Sequence, residues 1–150
     1  ADGMARERLL ISACLLGLSC RYDGGRKPLD AQCLNALMGK YELIPVCPEQ
    51  LGGLTTPREP SERRGERVVM RSGRDVTAEY DRGAREALCL AQLFSCRRAL
   101  LKERSPSCGS GEVYDGTFTG SLTAGDGMTA QLLKENGLAV FGETRARELL

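Results

Sequence analysis

The stretch Arg8-Leu-Leu-Ile-Ser-Ala-Cys14 decides the fold class, because it contains a short apolar run of the kind that forms a buried strand. Glu42–Cys47 and Arg98–Lys102 have the same character, and Leu138–Phe141 predicts a last strand. Helical patterns lie between these runs. Strands that alternate with helices predict an α/β protein with a mostly parallel sheet, a single three-layer α/β/α domain of Rossmann-like type.

The helical patterns have recognisable ends. Apolar residues recur at helical spacing from Pro28, which opens the first predicted helix, to Gly39, which stops it. Thr77 is the predicted N-cap of the next helix, and residues 128–135 form the third. Pro45 argues against a central position for its strand. Residues 48–66 are expected to be a long loop, followed by a hairpin between 68–70 and 75–77.

The chain of 150 residues has the length of one domain. Residues 1–3, which precede Met4, are expected to be a remnant foreign to the natural protein, and residues 4–150 form the domain. We expect no signal peptide, because charged residues precede only a short apolar run. No stretch reaches the roughly 18 apolar residues that span a membrane. These features predict a cytoplasmic protein.

Composition excludes several kinds of chemistry. The chain has no histidine, which rules out Ser-His-Asp and Cys-His nucleophiles, His-ligated metals and any acid–base step by histidine. Its 21 Lys and Arg nearly balance its 20 Asp and Glu, which argues against a protein that mainly binds a nucleic-acid backbone. A local basic strip at Arg58, Arg63 and Arg64 keeps a tRNA partner open.

Cysteine use is the strongest signal of chemistry. The seven cysteines are Cys14, Cys20, Cys33, Cys47, Cys89, Cys96 and Cys108. Cys14 and Cys47 end predicted strands and Cys108 follows the third, so a parallel sheet places all three at one edge. Thiolates favour soft metals and iron–sulfur clusters, yet cysteine is also a common buried residue. Both interpretations stay open for these three.

The other four cysteines divide differently. Cys33, Cys89 and Cys96 lie on or near helical patterns, and for them we prefer burial without a ligand. Cys20 lies close to Cys14 in the same turn-rich loop. It could replace Cys14, add a fourth ligand or simply pack.

Several polar residues flank the strand-end cysteines. Glu49 is a candidate general base, although a lone glutamate is usually solvated. Ser105 could donate a hydrogen bond or relay a proton, or form only a Ser-Pro turn. Lys102 and Arg104 could each hold a polar substrate or be solvated. Lys102 and Ser107 are the predicted substrate-binding residues.

Taken together, these motifs resemble a bacterial family known as domain of unknown function 523, some members of which are thiouracil desulfidases. The resemblance covers nearly the whole chain. Its motifs are Cys14–Gly17, Cys20–Gly24, Val46–Glu49, Gly52–Gly53, Pro57–Arg58, Glu62, Lys102–Gly109, Tyr114–Thr117 and Gly125–Ala130.

The resemblance implies a [4Fe–4S] cluster held by Cys14, Cys47 and Cys108, with one iron left open to substrate. It implies catalytic roles for Glu49 and Ser105. The implied reaction is a non-redox hydrolysis of the thiocarbonyl of thiouracil or a related thiolated pyrimidine, which yields uracil and sulfide. The alternatives are a non-enzymatic iron–sulfur or zinc sensor, and a metal-free thiol redox protein.

Overall fold

The computed structural model describes residues 6–25 and 28–150. The expected remnant at residues 1–3 lies outside them. The described strands are β1 (Glu7–Ser12), β2 (Tyr41–Val46), β3 (Ser61–Arg64), β4 (Arg67–Met70), β5 (Arg98–Leu101), β6 (Glu112–Tyr114), β7 (Leu122–Ala124) and β8 (Ala139–Gly142). The described helices are α1 (Ala31–Lys40), α2 (Pro48–Leu51), α3 (Thr77–Leu93) and α4 (Met128–Glu135), with 3-10 turns at Ala13–Leu16 and Glu143–Leu149.

Four parallel strands form the main sheet in the order β2-β1-β5-β8. Leu9 of β1 lies opposite Leu43 of β2 on one side and Arg98 of β5 on the other. From β1 the chain adds β2 on one side and then crosses to build β5 and β8 on the other. The strand order therefore reverses between β1 and β5, where open α/β sheets bind ligands. Pro45 lies on an edge strand, as its missing N–H requires.

Helices cover both faces of this sheet. Leu9 and Ile11 pack in one buried cluster with Leu37 of α1. The alternate residue, Leu10, packs in a second cluster with residues of α3 and α4, including Leu133. The alternation follows from the two-residue period of a strand that is buried on both faces. The predicted three-layer α/β/α architecture is confirmed.

One strand of the predicted hairpin, at 75–77, is wrong. β4 pairs with β3, so that Val69 lies opposite Glu62, and Asp75 makes only an isolated bridge to Val69. The expected loop at 48–66 therefore contains α2 and β3. The sequence of β3, Ser61-Glu-Arg-Arg64, has no apolar alternation, and so it carries no strand signal.

Two predicted helix ends also differ. The carboxylate of Asp75, rather than the Thr77 side chain, accepts from the first free amide of α3, with 2.9 Å between Asp75 Oδ1 and Thr77 N. The Thr77 hydroxyl accepts from the Val68 amide instead. α1 begins after its N-cap Asp30, and it continues through Gly39 directly into β2.

The short helix α2 packs backbone against backbone on α3. A methyl group added to Gly83 would lie 2.0 Å from the Pro48 carbonyl oxygen, and one added to Gly52 would lie 2.0 Å from the Glu79 carbonyl oxygen. Only hydrogen atoms fit at both positions. This contact fixes the turn that carries Glu49.

Candidate metal centre and active site

A cavity of about 560 Å³ opens beyond the carboxyl ends of β1, β2 and β5. Cys14, Cys47 and Cys108 all line it, together with Cys20 and Glu49. The strands that carry the first three cysteines are neighbours in the sheet. The structure thus brings together the residues that the sequence placed at strand ends.

Each of the three thiols is fixed by a tight local structure. Cys14 lies in the 3-10 turn that follows β1, and Cys47 immediately precedes α2 after the end of β2. Cys108 lies in the loop after β5, where its amide donates to the Ser105 hydroxyl over 2.7 Å. The Ser-Pro turn is therefore real, and it positions a cysteine.

Burial disfavours ionisation of these thiols in the absence of a bound cation. It raises the pKa of the Cys14 thiol to about 12, and it also raises the pKa of Cys47 and of Cys108. The three groups are free thiols in this structure. A positive metal centre among them would supply the charge that stabilises thiolates.

The donor set suits a cluster better than a single ion. Among residues 6–25 and 28–150, no three His, Cys, Asp or Glu side chains are grouped closely enough to hold one metal ion. A polynuclear iron–sulfur cluster spreads its cysteine ligands over several iron atoms. Three thiols around one cavity, without histidine, fit that arrangement.

Cys20 faces the same cavity. The Cys47 thiol donates to the Cys20 carbonyl oxygen over 3.7 Å, and burial raises the pKa of the Cys20 thiol. Cys33 and Cys96 pack in the two apolar clusters, as expected. Cys89 is exposed on α3, so the expectation of burial is wrong there.

Glu49 is not a solvated surface residue, since its side chain is only 13% exposed. Its Oε2 atom lies 3.4 Å from a guanidinium nitrogen of Arg58 and 3.7 Å from the Cys47 sulfur. Burial raises the pKa of the Glu49 carboxyl, an effect that Arg58 opposes. The raised pKa makes the ionised carboxylate a stronger base.

The structure removes Arg58 from the predicted basic surface strip. Its side chain is 5% exposed and faces Glu49. Arg63 donates to Gln131, and Arg64 donates to the Gly116 carbonyl oxygen. Arg64 is nevertheless exposed and Arg63 half-buried, so only Arg58 is withdrawn from the predicted strip.

The remaining predicted residues take different places. Ser105 lines the cavity, and because its oxygen accepts the Cys108 amide, its own proton is left for another acceptor. Lys102 also lines the cavity, with its amine 2.6 Å from Glu143. Ser107 is fully buried, with its hydroxyl 2.7 Å from the Thr129 hydroxyl. Substrate contact by Ser107 stays a prediction.

Ser12 and Tyr80 are among the residues of the cavity wall that sequence reasoning missed. The buried Ser12 hydroxyl accepts from the Lys102 amide over 2.9 Å. Its signal was visible as a polar residue at the end of an apolar strand. Tyr80 comes from α3, and no sequence motif marks it as a site residue.

Fold and cavity define a parallel α/β protein whose ligand site, at the reversal of strand order, is walled by free thiols. Residues 9–145 match the model of the 2-thiouracil desulfurase family, and the chain belongs to that family. A solved structure, described as the [4Fe–4S]-dependent thiouracil desulfidase TudS (DUF523Vcz), is 51% identical. It superimposes with a TM-score of 0.92 over 96% of this chain and 95% of its own.

A second relative is the uncharacterized protein YbbK of Bacillus subtilis (strain 168), which is 40% identical over 95% of this chain and 99% of its own length. The protein is thus a homologue of a [4Fe–4S]-dependent thiouracil desulfidase, and the resemblance drawn from the sequence is confirmed. No helix in the described part of the chain is long and apolar enough to cross a bilayer.

Proposed function

We propose that this protein is a [4Fe–4S]-dependent desulfidase that removes sulfur from thiouracil or a related thiolated pyrimidine, giving uracil and sulfide. The observation that carries the proposal is the convergence of Cys14, Cys47 and Cys108 on one cavity that also holds the buried carboxyl of Glu49. A site that only stored or sensed metal would have no need of that carboxyl.

In this proposal Cys14, Cys47 and Cys108 hold the cluster. When bound, it supplies an iron without a protein ligand, a soft Lewis acid suited to the sulfur of a thiocarbonyl. The raised pKa values of the thiols indicate that binding is accompanied by loss of their protons.

The protein's own groups carry the proton transfers. Glu49 takes a proton from water, whose oxygen replaces sulfur at the thiocarbonyl carbon. Ser105 directs its free proton at the substrate, since its oxygen is already occupied by the Cys108 amide. Lys102 holds a positive charge at the cavity wall next to Glu143. Sulfur leaves as sulfide with no change of oxidation state, so no external reductant is consumed.

The substrate class follows from the family match, and the cavity is large enough for it. A volume of about 560 Å³ admits a single heterocyclic ring. We therefore propose a small thiolated pyrimidine as the main substrate and a thiolated tRNA base as the alternative. Cytoplasmic localisation fits, because free thiols are kept reduced there.

The test is anaerobic reconstitution with iron and sulfide, followed by assay of sulfide release from 2- and 4-thiouracil. We expect about four iron and about four sulfide per chain and steady release of sulfide. Glu49→Gln should keep the iron and lose activity by about 10²- to 10⁴-fold. Bound iron with no sulfide release from either base would favour a sensor.

A further inference from the structure

We infer that Arg58 is a positioning residue that holds the Glu49 carboxylate in the orientation needed for proton transfer. This inference rests on the proposed function, because it concerns the base used in that reaction. Arg58 itself has no assigned part in the chemistry.

The contact between the two side chains is buried. Arg58 Nη2 lies 3.4 Å from Glu49 Oε2, and the two side chains are 5% and 13% exposed. Among ion pairs between described residues, no other has both side chains so deeply buried; Lys102–Glu143 comes next at 24% and 18%. A charge buried to this degree is strongly coupled to its partner, and removing one member leaves the other uncompensated.

The guanidinium is itself immobilised from the opposite side. Nη1 donates to the Thr55 carbonyl oxygen over 3.1 Å and to the Thr56 hydroxyl over 3.0 Å. Nη2 donates to the Cys20 carbonyl oxygen over 3.2 Å, besides its contact with Glu49. These hydrogen bonds fix the plane of the Arg58 guanidinium group. Its Nη2 atom is therefore held in a fixed direction toward the Glu49 carboxylate.

The backbone of Arg58 is tied to the cavity wall as well. Its amide donates to the Tyr22 carbonyl oxygen over 2.6 Å. Glu49 in turn lies on α2, whose backbone is pressed against α3 at Gly83. Both members of the ion pair are therefore held by rigid neighbours, which is the condition for a carboxylate of fixed orientation.

The experiment compares Arg58→Met and Arg58→Lys with wild type, all reconstituted anaerobically. The control is Arg74→Met, which removes an arginine that lies 3.3 Å from Glu79 but is 64% exposed. We expect Arg58→Met to lower kcat by about 10²-fold, with KM and bound iron per chain unchanged. The kcat of Arg58→Lys should lie between those of Arg58→Met and wild type, because an ammonium cannot reproduce the planar set of guanidinium donors. Arg74→Met should match wild type.

A second measurement separates positioning from folding. Guanidinium ions added to Arg58→Ala should restore part of kcat, whereas an equal concentration of tetramethylammonium should not. If Arg58→Met and Arg58→Ala do not fold, the kcat and bound iron of Arg58→Lys carry the test.

Three results would overturn the inference while the wild type remains active. The first is a wild-type kcat in Arg58→Met or Arg58→Lys. The second is a loss of bound iron in proportion to the loss of activity, and the third is a change in KM with no change in kcat. An inactive wild type with a full cluster would instead end the proposed function, and this inference with it.

Discussion

At the residue scale, four thiols face one cavity, and they differ in how their backbones are used. Cys14, Cys47 and Cys108 lie in tight turns beyond three adjacent strands. Cys20 offers its carbonyl oxygen to both Cys47 and Arg58. Both contacts are made by the backbone of Cys20, which a side-chain substitution leaves in place.

We predict that Cys14→Ser loses the cluster and that Cys20→Ser keeps it. Serine removes a ligand sulfur at position 14, whereas at position 20 it preserves the carbonyl contacts. Iron and sulfide per chain and the brown absorbance of the anaerobic protein measure the outcome, with the exposed Cys89→Ser as control. Retention of iron in Cys14→Ser with its loss in Cys20→Ser would place Cys20 among the ligands.

The place of a site residue was easier to predict from the sequence when it depended on fewer distant segments of the chain. The strand-end cysteines followed from one rule, that the carboxyl ends of parallel strands meet at one edge. The place of Arg58 could not be predicted, because its burial depends on Tyr22, Glu49 and Thr55 at once. Ser107 turned towards Thr129 for a similar reason, since that partner lies in a later helix.

At the element scale, apolar runs and helical periods predicted the main sheet and three helices, whereas polar β3 gave no signal. The sequence also contains no signal for the backbone contact between α2 and α3, because a glycine within a helical pattern indicates only low helix propensity.

Gly83→Ala should destabilise the protein by about 2 kcal/mol, because the added methyl meets the Pro48 carbonyl oxygen at 2.0 Å. The same substitution at Gly39, also in a helix, meets nothing within 4 Å. There it should stabilise by up to about 1 kcal/mol. Urea unfolding of both variants measures the contrast, and an equal gain in stability at the two positions would contradict it.

The Asp75 carboxylate at the start of α3 should make the stability of the protein depend on pH. Hydrogen bonds from Thr77 lower the pKa of Asp75. The stabilisation by this carboxylate is therefore complete above its unfolded pKa and disappears as the pH falls through the lowered folded value. Asp75→Ala should have a lower Tm than wild type at neutral pH, and the difference should shrink in acid. Thermal unfolding across this range is the measurement, and a difference independent of pH would refute it.

At the scale of the whole molecule, the proposed ligands come from three neighbouring strand ends, so a bound cluster connects segments that are distant along the chain. Removal of iron by an anaerobic chelator should lower Tm by about 10 °C, because a ligand that binds only the native state adds its binding free energy to stability. Calorimetry before and after chelation measures the change. Equal Tm values would contradict binding of the cluster to the native state alone.

The two apolar clusters on either side of the sheet, centred on Leu9 and Leu10, include Cys14 and Cys108 among their buried side chains. In a newly synthesised polypeptide Cys14, Cys47 and Cys108 are far apart along the chain, and they meet only once the sheet has formed. The proposed cluster site is therefore complete only in the folded chain.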